Sequence, residues 1–161
     1  MKVLFLDRDG IINVERGEYT FLIQDFSFAD NLFSFLMSFI NKGYKIIVVT
    51  NQGGIDKGLY SKDDVNDLHS WMTNELNNRG IEVLEIYYCP HHDTIQNCLC
   101  RKPKSLLFEK SIARFGIDPV KSLMIGDNQR DLDAASKCGI KGFLVNSNPD
   151  WNEVRISEML K

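Results

Sequence analysis

The stretch that decides the fold is VLFLDRDG, residues 3–10, in which four apolar residues precede two aspartates one residue apart. An uninterrupted apolar run of this length is typical of a strand buried on both faces of a parallel sheet. The Asp-Arg-Asp-Gly sequence that follows has two interpretations. It is either a polar surface turn or a pair of carboxylates placed at a ligand site, and the pattern of the remaining chain has to decide between them.

Further short apolar runs alternate with longer amphipathic segments along the chain. The apolar runs, predicted to be strands, are 45–50, 85–89, 122–127 and 142–146. The amphipathic segments, predicted to be helices, are 31–42, 62–79, 104–115, 129–138 and 150–160. Strands alternating with helices, most of which stop at glycine, predict an α/β fold, a Rossmann-like three-layer sandwich with a central parallel sheet. We expect one domain over residues 1–161, because no linker, repeat or low-complexity tract interrupts the pattern.

The composition excludes several classes of function. The chain has 161 residues, with 19 basic against 22 acidic side chains and a net charge of −3, which gives no support to nucleic-acid binding through a basic field. No apolar run approaches the 18 or so residues of a membrane span, and the N-terminus lacks signal-peptide features. We therefore expect a cytoplasmic protein, in which the four cysteines need a reason other than disulfides.

Polar and charged residues follow several of the predicted strands. Asp7 and Asp9 follow the first, Thr50 and Asn51 end the second, and Asp127, with Asp131 four residues on, ends the fourth; Arg101 and Lys102 precede the third helix from the C-terminus. Each residue alone would be read as a turn or a helix cap. Together they lie at the carboxyl ends of parallel strands, where ligands bind in such folds. Crowded carboxylates need a compensating cation, and three aspartates suit a Mg²⁺ site completed by a substrate phosphate.

These residues resemble the motifs of the haloacid dehalogenase-like phosphatases: DxDG, a strand-end Thr or Ser, a Lys, and GDxxxD. Here they read Asp7–Gly10, Thr50, Lys102 and Gly126–Asp131, in that order. The resemblance implies that Asp7 attacks phosphorus and forms an aspartyl-phosphate, and that Asp9 acts as general acid and then as general base. It also implies a Mg²⁺ ion held by Asp7, the backbone carbonyl of Asp9, and Asp127.

The resemblance assigns roles to the other strand-end residues as well. Lys102 would balance the charge of Asp7 and of the transferring phosphoryl group, while Thr50 and the Asn51 backbone would hydrogen-bond its oxygens. Asp131 would act on a metal-bound water or on Lys102. Further candidates for contacts to substrate phosphate or hydroxyl groups are Arg8, Gln52 and Arg101.

A cluster of cysteines and histidine has the spacing C-x-H-x₆-C-x-C. Its members, Cys89, His91, Cys98 and Cys100, predict a closed, structural zinc site. Buried free thiols and an accidental cluster are the alternatives. Cys138 and His92 are left out of this site, Cys138 as a small apolar residue near a helix end. His69, inside a predicted helix, is expected to be a surface or half-buried residue.

The zinc loop narrows the resemblance to one branch. The segments CPHHDTIQNCLCRKPK (89–104) and TNQGGIDKG (50–58) look like the D-glycero-D-manno-heptose 1,7-bisphosphate 7-phosphatases and the related histidinol-phosphate phosphatases. In that branch zinc would fold the loop so that Arg101 and Lys102 point into the site. The short intervals between motifs leave no room for a large cap domain, so we expect an open site roofed by loops 12–28, 53–60 and 90–102. The resemblance also implies a monomer.

The choice of substrate depends on the loops. Segments 16–28 and 50–58 favour the heptose bisphosphate, and a Pro-rich stretch expected after DRDG in the histidinol-phosphate branch is absent. Asn128 departs from the basic residue that heptose phosphatases often carry there, so histidinol phosphate stays an alternative. A polynucleotide 3′-phosphatase is disfavoured by the net charge. A non-enzymatic zinc-binding module would leave the strand-end residues unexplained.

Overall fold

The computed structural model describes residues 1–160 of the chain, and its centre is a five-stranded parallel sheet. The strands are β1 (Val3–Leu6), β2 (Lys45–Asn51), β3 (Val83–Cys89), β4 (Leu123–Gly126) and β5 (Lys141–Leu144). The helices are α1 (Leu32–Ile40), α2 (Lys62–Asn77), α3 (Leu106–Phe115), α4 (Gln129–Ser136) and α5 (Ile156–Met159), with 3₁₀ turns at Ile23–Asp25 and Pro119–Lys121. The predicted α/β sandwich with a parallel sheet is confirmed.

Side chains of β1 alternate between two apolar layers. Leu4 and Leu6 pack in the layer that contains the inward faces of α1 and α2, such as Leu36 and Met72. Val3 and Phe5, by contrast, belong to a second layer on the opposite face of the sheet, formed by residues of α3 and α4. Because β1 is buried on both faces, it reads as an unbroken apolar run in the sequence.

The strand order is β3-β2-β1-β4-β5, which places β1 at the centre between β2 and β4. The carboxyl ends of these three strands therefore meet at one edge of the sheet, and the loops that follow them are neighbours. Among the described residues, every helix is too short or too polar to cross a membrane.

The helix ends explain where the predicted boundaries differ from the structure. The N-terminus of α2 is fixed by a capping box, in which Ser61 and Asp64 satisfy each other's backbone N–H groups, as the sequence pattern indicates. The last helix is shorter than predicted and begins only at Ile156. The Asp150 carboxylate accepts a hydrogen bond from the Asn152 N–H at 3.0 Å, and residues 151–153 form turns instead.

Candidate active site

Lys102 is the centre of a buried charge cluster at the carboxyl edge of the sheet. Its Nζ lies 3.0 Å from Asp7 Oδ1 and 2.8 Å from Asp131 Oδ1, and it donates to the Val49 carbonyl at 2.6 Å. Asp127 joins this group, since one carboxylate oxygen each from Asp7, Asp127 and Asp131 lie within 4.8 Å of one another. Three segments far apart in sequence thus bring three carboxylates and one ammonium together.

The charges of this cluster do not balance. Burial raises the pKa of Asp7 to about 6, against the lowering effect of Lys102, and the neighbouring carboxylates of Asp131 and Asp9 raise it further. Burial and Asp7 also raise the pKa of Asp127. Although burial alone would lower the pKa of Lys102, Asp7 and Asp131 hold it above its ordinary value. One ammonium is therefore too little positive charge for three ionised carboxylates.

The donor set fits a small divalent cation with oxygen ligands. Asp131 uses Oδ1 for Lys102 and Oδ2 for the backbone N–H of Asn128, at 3.2 Å, in the capping box of α4. Asp7 accepts from the Arg8 N–H and from Lys102 through the same oxygen, Oδ1. Asp7 and Asp127 are thus the carboxylates best able to hold such an ion, and Asp131 serves mainly to hold Lys102 and the helix end.

Asp9 lies beside this cluster in a shell of buried donors. Its carboxylate accepts from Arg8 Nη2 at 2.8 and 3.1 Å, from Asn13 Nδ2 at 3.0 Å and from Gln52 Nε2 at 3.0 Å. Burial would raise the pKa of Asp9, but Arg8 and these hydrogen bonds hold it below its ordinary value. The Gln52 amide also donates to Thr50 Oγ1 at 3.0 Å and so joins two candidate site residues.

Two of the residues expected to contact substrate, Arg8 and Gln52, lie away from the cavity. Arg8 is fully buried and Gln52 is 1% exposed, and neither lines the cavity described below. Arg8 donates hydrogen bonds to Asp9 and to the Thr20 carbonyl, and Gln52 donates to Asp9 and Thr50. Both side chains therefore stabilise the site from inside the protein.

An open cavity of about 590 Å³ lies above the cluster. The expected loops line it: Glu15, Gly17, Glu18 and Tyr19 from one, Gly53 from the second, His92 and Arg101 from the third, together with Asp7, Asp9, Thr50, Asn51, Asp127, Asn128 and Arg130. The Asn51 side chain makes two hydrogen bonds to the backbone of Lys102. It accepts from the N–H at 3.0 Å and donates to the carbonyl at 3.2 Å. Thr50, Asn51 and Arg101 are therefore placed at the cavity, while Lys102 is buried below it.

The cysteine cluster forms a compact set of four ligand atoms next to the cavity. Cys89 Sγ lies 3.7 Å from Cys98 Sγ and 3.7 Å from His91 Nδ1, and His91 Nδ1 lies 3.3 Å from Cys100 Sγ. A tetrahedral ion with bonds of about 2.3 Å to sulfur separates its sulfur ligands by about 3.8 Å, so these spacings fit zinc. Cys89 and Cys100 are closer, at 2.9 Å, yet well beyond disulfide length.

Comparison with known proteins places the chain in a family. The HAD-hydrolase-like family matches residues 99–152. A D-glycero-alpha-D-manno-heptose-1,7-bisphosphate 7-phosphatase of Photorhabdus laumondii is 36% identical over 160 residues, covering 95% of this chain and 87% of that protein. The corresponding beta-heptose phosphatase of Haemophilus ducreyi is 40% identical over 146 residues, covering 87% and 80%.

The chain belongs to the haloacid dehalogenase-like phosphatases, in the heptose bisphosphate phosphatase branch. A solved structure agrees with this placement. The D,D-heptose 1.7-bisphosphate phosphatase from B. bronchiseptica, complexed with magnesium and phosphate, matches with a TM-score of 0.85 and 27% identity, covering 94% of this chain and 84% of that one. The prediction that this protein is an enzyme, a phosphatase, is confirmed.

Several residues of this phosphatase site were not predicted from the sequence: Glu15, Glu18 and Arg130 line the cavity, and His69 contacts the buried Arg8. His69 was expected at or near the surface, but it is 6% exposed, and its Nε2 lies 3.0 Å from Arg8 Nη1. A signal for its burial exists in the helical spacing. Val65, His69, Met72 and Leu76 follow one another at intervals of four, three and four, which places the histidine on the apolar stripe of α2.

Proposed function

We propose that this phosphatase removes the 7-phosphate of D-glycero-D-manno-heptose 1,7-bisphosphate in a Mg²⁺-dependent reaction with an aspartyl-phosphate intermediate on Asp7. The observation that carries the proposal is the buried Lys102, paired with Asp7 and Asp131 under an open cavity that Asp9 and Asp127 also line. The substrate is proposed from the names of the relatives, which include phosphatases for both the alpha and the beta anomer.

In the first half of the reaction, an Asp7 oxygen attacks the phosphorus and the bond from phosphorus to the sugar oxygen breaks. Asp9 enters this step protonated, because the negative charge of the bound phosphate opposes the lowering of its pKa by Arg8, and gives that proton to the leaving oxygen. The Lys102 ammonium, 3.0 Å from Asp7, offsets negative charge as the carboxylate meets the phosphate. Asp7, the Asp9 carbonyl and Asp127 would hold a Mg²⁺ ion, which would supply the further positive charge that this approach of two anions requires.

In the second half, water attacks the phosphorus of the aspartyl-phosphate. Asp9, now ionised, takes a proton from this water, inorganic phosphate leaves and the Asp7 carboxylate is restored. Thr50 and the backbone of Asn51, both at the cavity, hydrogen-bond the phosphoryl oxygens. Thr50 is held for this by Gln52, whose amide donates to its hydroxyl at 3.0 Å.

Two arginines among the residues that line the cavity support a substrate with a second phosphate. Arg101 and Arg130 line it, and within the described residues the buried Nε of Arg130 has no hydrogen-bond partner. Asn128, where the branch often has a basic residue, caps α4 instead, so Arg130 supplies a guanidinium two residues later. Glu15 and Glu18 offer carboxylates to sugar hydroxyls.

We further propose a structural zinc ion at Cys89, His91, Cys98 and Cys100. The spacings of their ligand atoms and their free thiols support it. Arg101 follows the last ligand directly, and its backbone N–H lies 3.4 Å from Cys98 Sγ, so the ion would hold the loop that carries it. The single sheet with apolar layers on both faces supports one domain over residues 1–161.

The test is phosphate release with Mg²⁺ from both anomers of heptose 1,7-bisphosphate and from histidinol phosphate, side by side. We expect kcat/KM to favour a heptose bisphosphate by about a hundredfold, which is about 2.7 kcal/mol of differential transition-state stabilisation. Asp7→Asn should abolish turnover of every substrate. A preference for histidinol phosphate would overturn the substrate, and turnover by Asp7→Asn would overturn the mechanism.

A further inference from the structure

A buried arginine, Arg8, joins Asp9 to two other parts of the chain. Arg8 donates through Nε and Nη2 to the Asp9 carboxylate, at distances from 2.8 to 3.2 Å, and through Nη2 to the Thr20 carbonyl at 2.6 Å. Its Nη1 lies 3.0 Å from Nε2 of His69, which is 61 positions away on α2. Arg8 is fully buried, so water does not compete for these donors.

The hydrogen-bond chemistry fixes the state of His69. A guanidinium carries donors and no acceptor, so the Nε2 atom of His69 must be the acceptor and the ring must be neutral, with its hydrogen on Nδ1. Loss of that acceptor would leave a buried Arg8 N–H unpaired, a costly arrangement that the side chain can relieve only by moving. The Arg8 guanidinium donates to both carboxyl oxygens of Asp9. Its movement would therefore turn the Asp9 carboxyl.

A second chain of hydrogen bonds reaches Asp9 from the other side. The Tyr60 hydroxyl donates to Gln52 Oε1 at 2.8 Å, which directs the Gln52 Nε2 donor toward Asp9 Oδ2 at 3.0 Å. Tyr60 is itself held by stacking on Phe21, with ring centroids 4.8 Å apart. Arg8 and Gln52, which do not line the cavity, thus hold the Asp9 carboxyl by hydrogen bonds from two sides.

We propose that His69 is a positioning residue for Asp9: by accepting the hydrogen bond of Arg8 it holds the guanidinium that aims the Asp9 carboxyl at the leaving oxygen of the substrate. This rests on the proposed function, in which Asp9 is the general acid. His69 itself does not line the cavity above Asp7 and Asp127. Its effect should appear only where protonation of the leaving group limits the rate.

The decisive experiment compares two esters with different leaving groups. A sugar phosphate needs its leaving oxygen protonated, whereas p-nitrophenyl phosphate releases a stable phenolate and needs little acid catalysis. The measured quantity is kcat/KM, which reports the first phosphoryl transfer. Two variants distinguish loss of the hydrogen-bond acceptor from the mere replacement of the buried ring. The Gln side chain of His69→Gln can place an oxygen where Nε2 lies, while the shorter Asn side chain of His69→Asn cannot reach Arg8.

We expect His69→Asn to lower kcat/KM for heptose 1,7-bisphosphate about a hundredfold and that for p-nitrophenyl phosphate less than about threefold, with His69→Gln recovering most of the loss. Leu68→Ala, a buried neighbour on α2, controls for lost packing and should change both esters equally. Equal losses for both esters in His69→Asn, or no loss for either, would overturn the proposal. If His69→Asn does not fold, His69→Leu, which fills the same space without a hydrogen-bond acceptor, is subjected to the same comparison and criteria.

Two further variants separate this proposal from the proposed function. Asp7→Asn should lose both esters, and Asp9→Asn should show the same leaving-group selectivity as His69→Asn, in stronger form. If Asp9→Asn loses both esters equally, Asp9 is not the general acid and the proposed mechanism fails. If Asp9→Asn is selective and His69→Asn is not, the mechanism stands and only the role of His69 is refuted.

Discussion

Gly10 permits the close approach of the first loop to Asp127. Its φ is +81°, and a Cβ atom there would collide with the Asp127 carboxylate and the Ser147 hydroxyl. We expect Gly10→Ala to push Asp127 out of the metal site, lowering kcat/KM at least about tenfold and raising the Mg²⁺ concentration that gives half activity. The measurement is a Mg²⁺ titration of phosphatase activity.

The control for this substitution is Gly116→Ala. Gly116 also has a positive φ, +60°, but a Cβ atom there meets nothing within 4 Å, and the residue lies at the end of α3 away from the cavity. We expect a loss of about 1 kcal/mol in unfolding free energy and an unchanged Mg²⁺ titration. An unchanged titration in Gly10→Ala as well would show that Asp127 is not a metal ligand.

Arg130 is the residue that should distinguish a bisphosphate from a monophosphate. Arg130 lines the cavity, so we expect Arg130→Gln to lower kcat/KM for heptose 1,7-bisphosphate about tenfold, or about 1.4 kcal/mol. The same variant should leave heptose 7-phosphate, which has no second phosphate, nearly unaffected. Lys121→Gln removes a charge at the opposite edge of the sheet and is the control. An equal loss on both substrates would exclude Arg130 from the second phosphate.

At the scale of elements, the zinc loop is expected to set the position of Arg101 and Lys102. Cys98→Ser should therefore reduce bound zinc below one ion per chain, lower the melting temperature and lower activity, because the loop that carries both basic residues loosens. Zinc content by metal analysis, thermal unfolding and phosphate release are the measurements. Cys138→Ser, outside the cluster, should keep the zinc and the activity. Wild-type protein purified without zinc, and fully active, would refute the structural ion.

The elements themselves could be predicted from the sequence, whereas the contacts between them could not. Predicted strand boundaries lie within two residues of the structure, because runs such as 45–50 are buried on both faces and leave a clear apolar signal. The position of Asp7 at the cavity followed from strand ends alone. The burial of Arg8 and Gln52 did not follow, because it depends on α2 and the loop around Tyr60 folding back over the first loop.

At the scale of the whole molecule, stability should depend on pH through His69. Burial, helped by the charge of Arg8, lowers the pKa of His69 to about 3, whereas the unfolded chain binds that proton near its ordinary value of 6.5. This stability is fully present above about pH 6.5 and is lost as the pH falls toward 3. We expect the unfolding free energy of the wild type to fall by about 2 kcal/mol relative to His69→Gln between pH 7.5 and pH 5.

Urea denaturation of the two proteins at both pH values provides this comparison. The raised pKa of Asp7 increases the unfolding free energy as the pH falls, opposite to the effect of His69. Because both proteins contain the same carboxylate cluster, this contribution cancels when the unfolding free energy of one is subtracted from that of the other. If the unfolding free energies of the wild type and His69→Gln change by the same amount between pH 7.5 and pH 5, His69 is protonated in the folded protein. That result would also contradict its place as hydrogen-bond acceptor for Arg8.

The parallel sheet brings the ends of β1, β2 and β4 to a single edge. The removal of the 7-phosphate proposed to occur there can be followed directly. The measurement is ³¹P NMR of heptose 1,7-bisphosphate incubated with Mg²⁺ and either the wild type or Asp7→Asn. We predict that the wild type converts the 7-phosphate signal to inorganic phosphate and leaves the 1-phosphate intact, while Asp7→Asn leaves both signals unchanged. Loss of the 1-phosphate, or release of phosphate by Asp7→Asn, would contradict the proposed reaction.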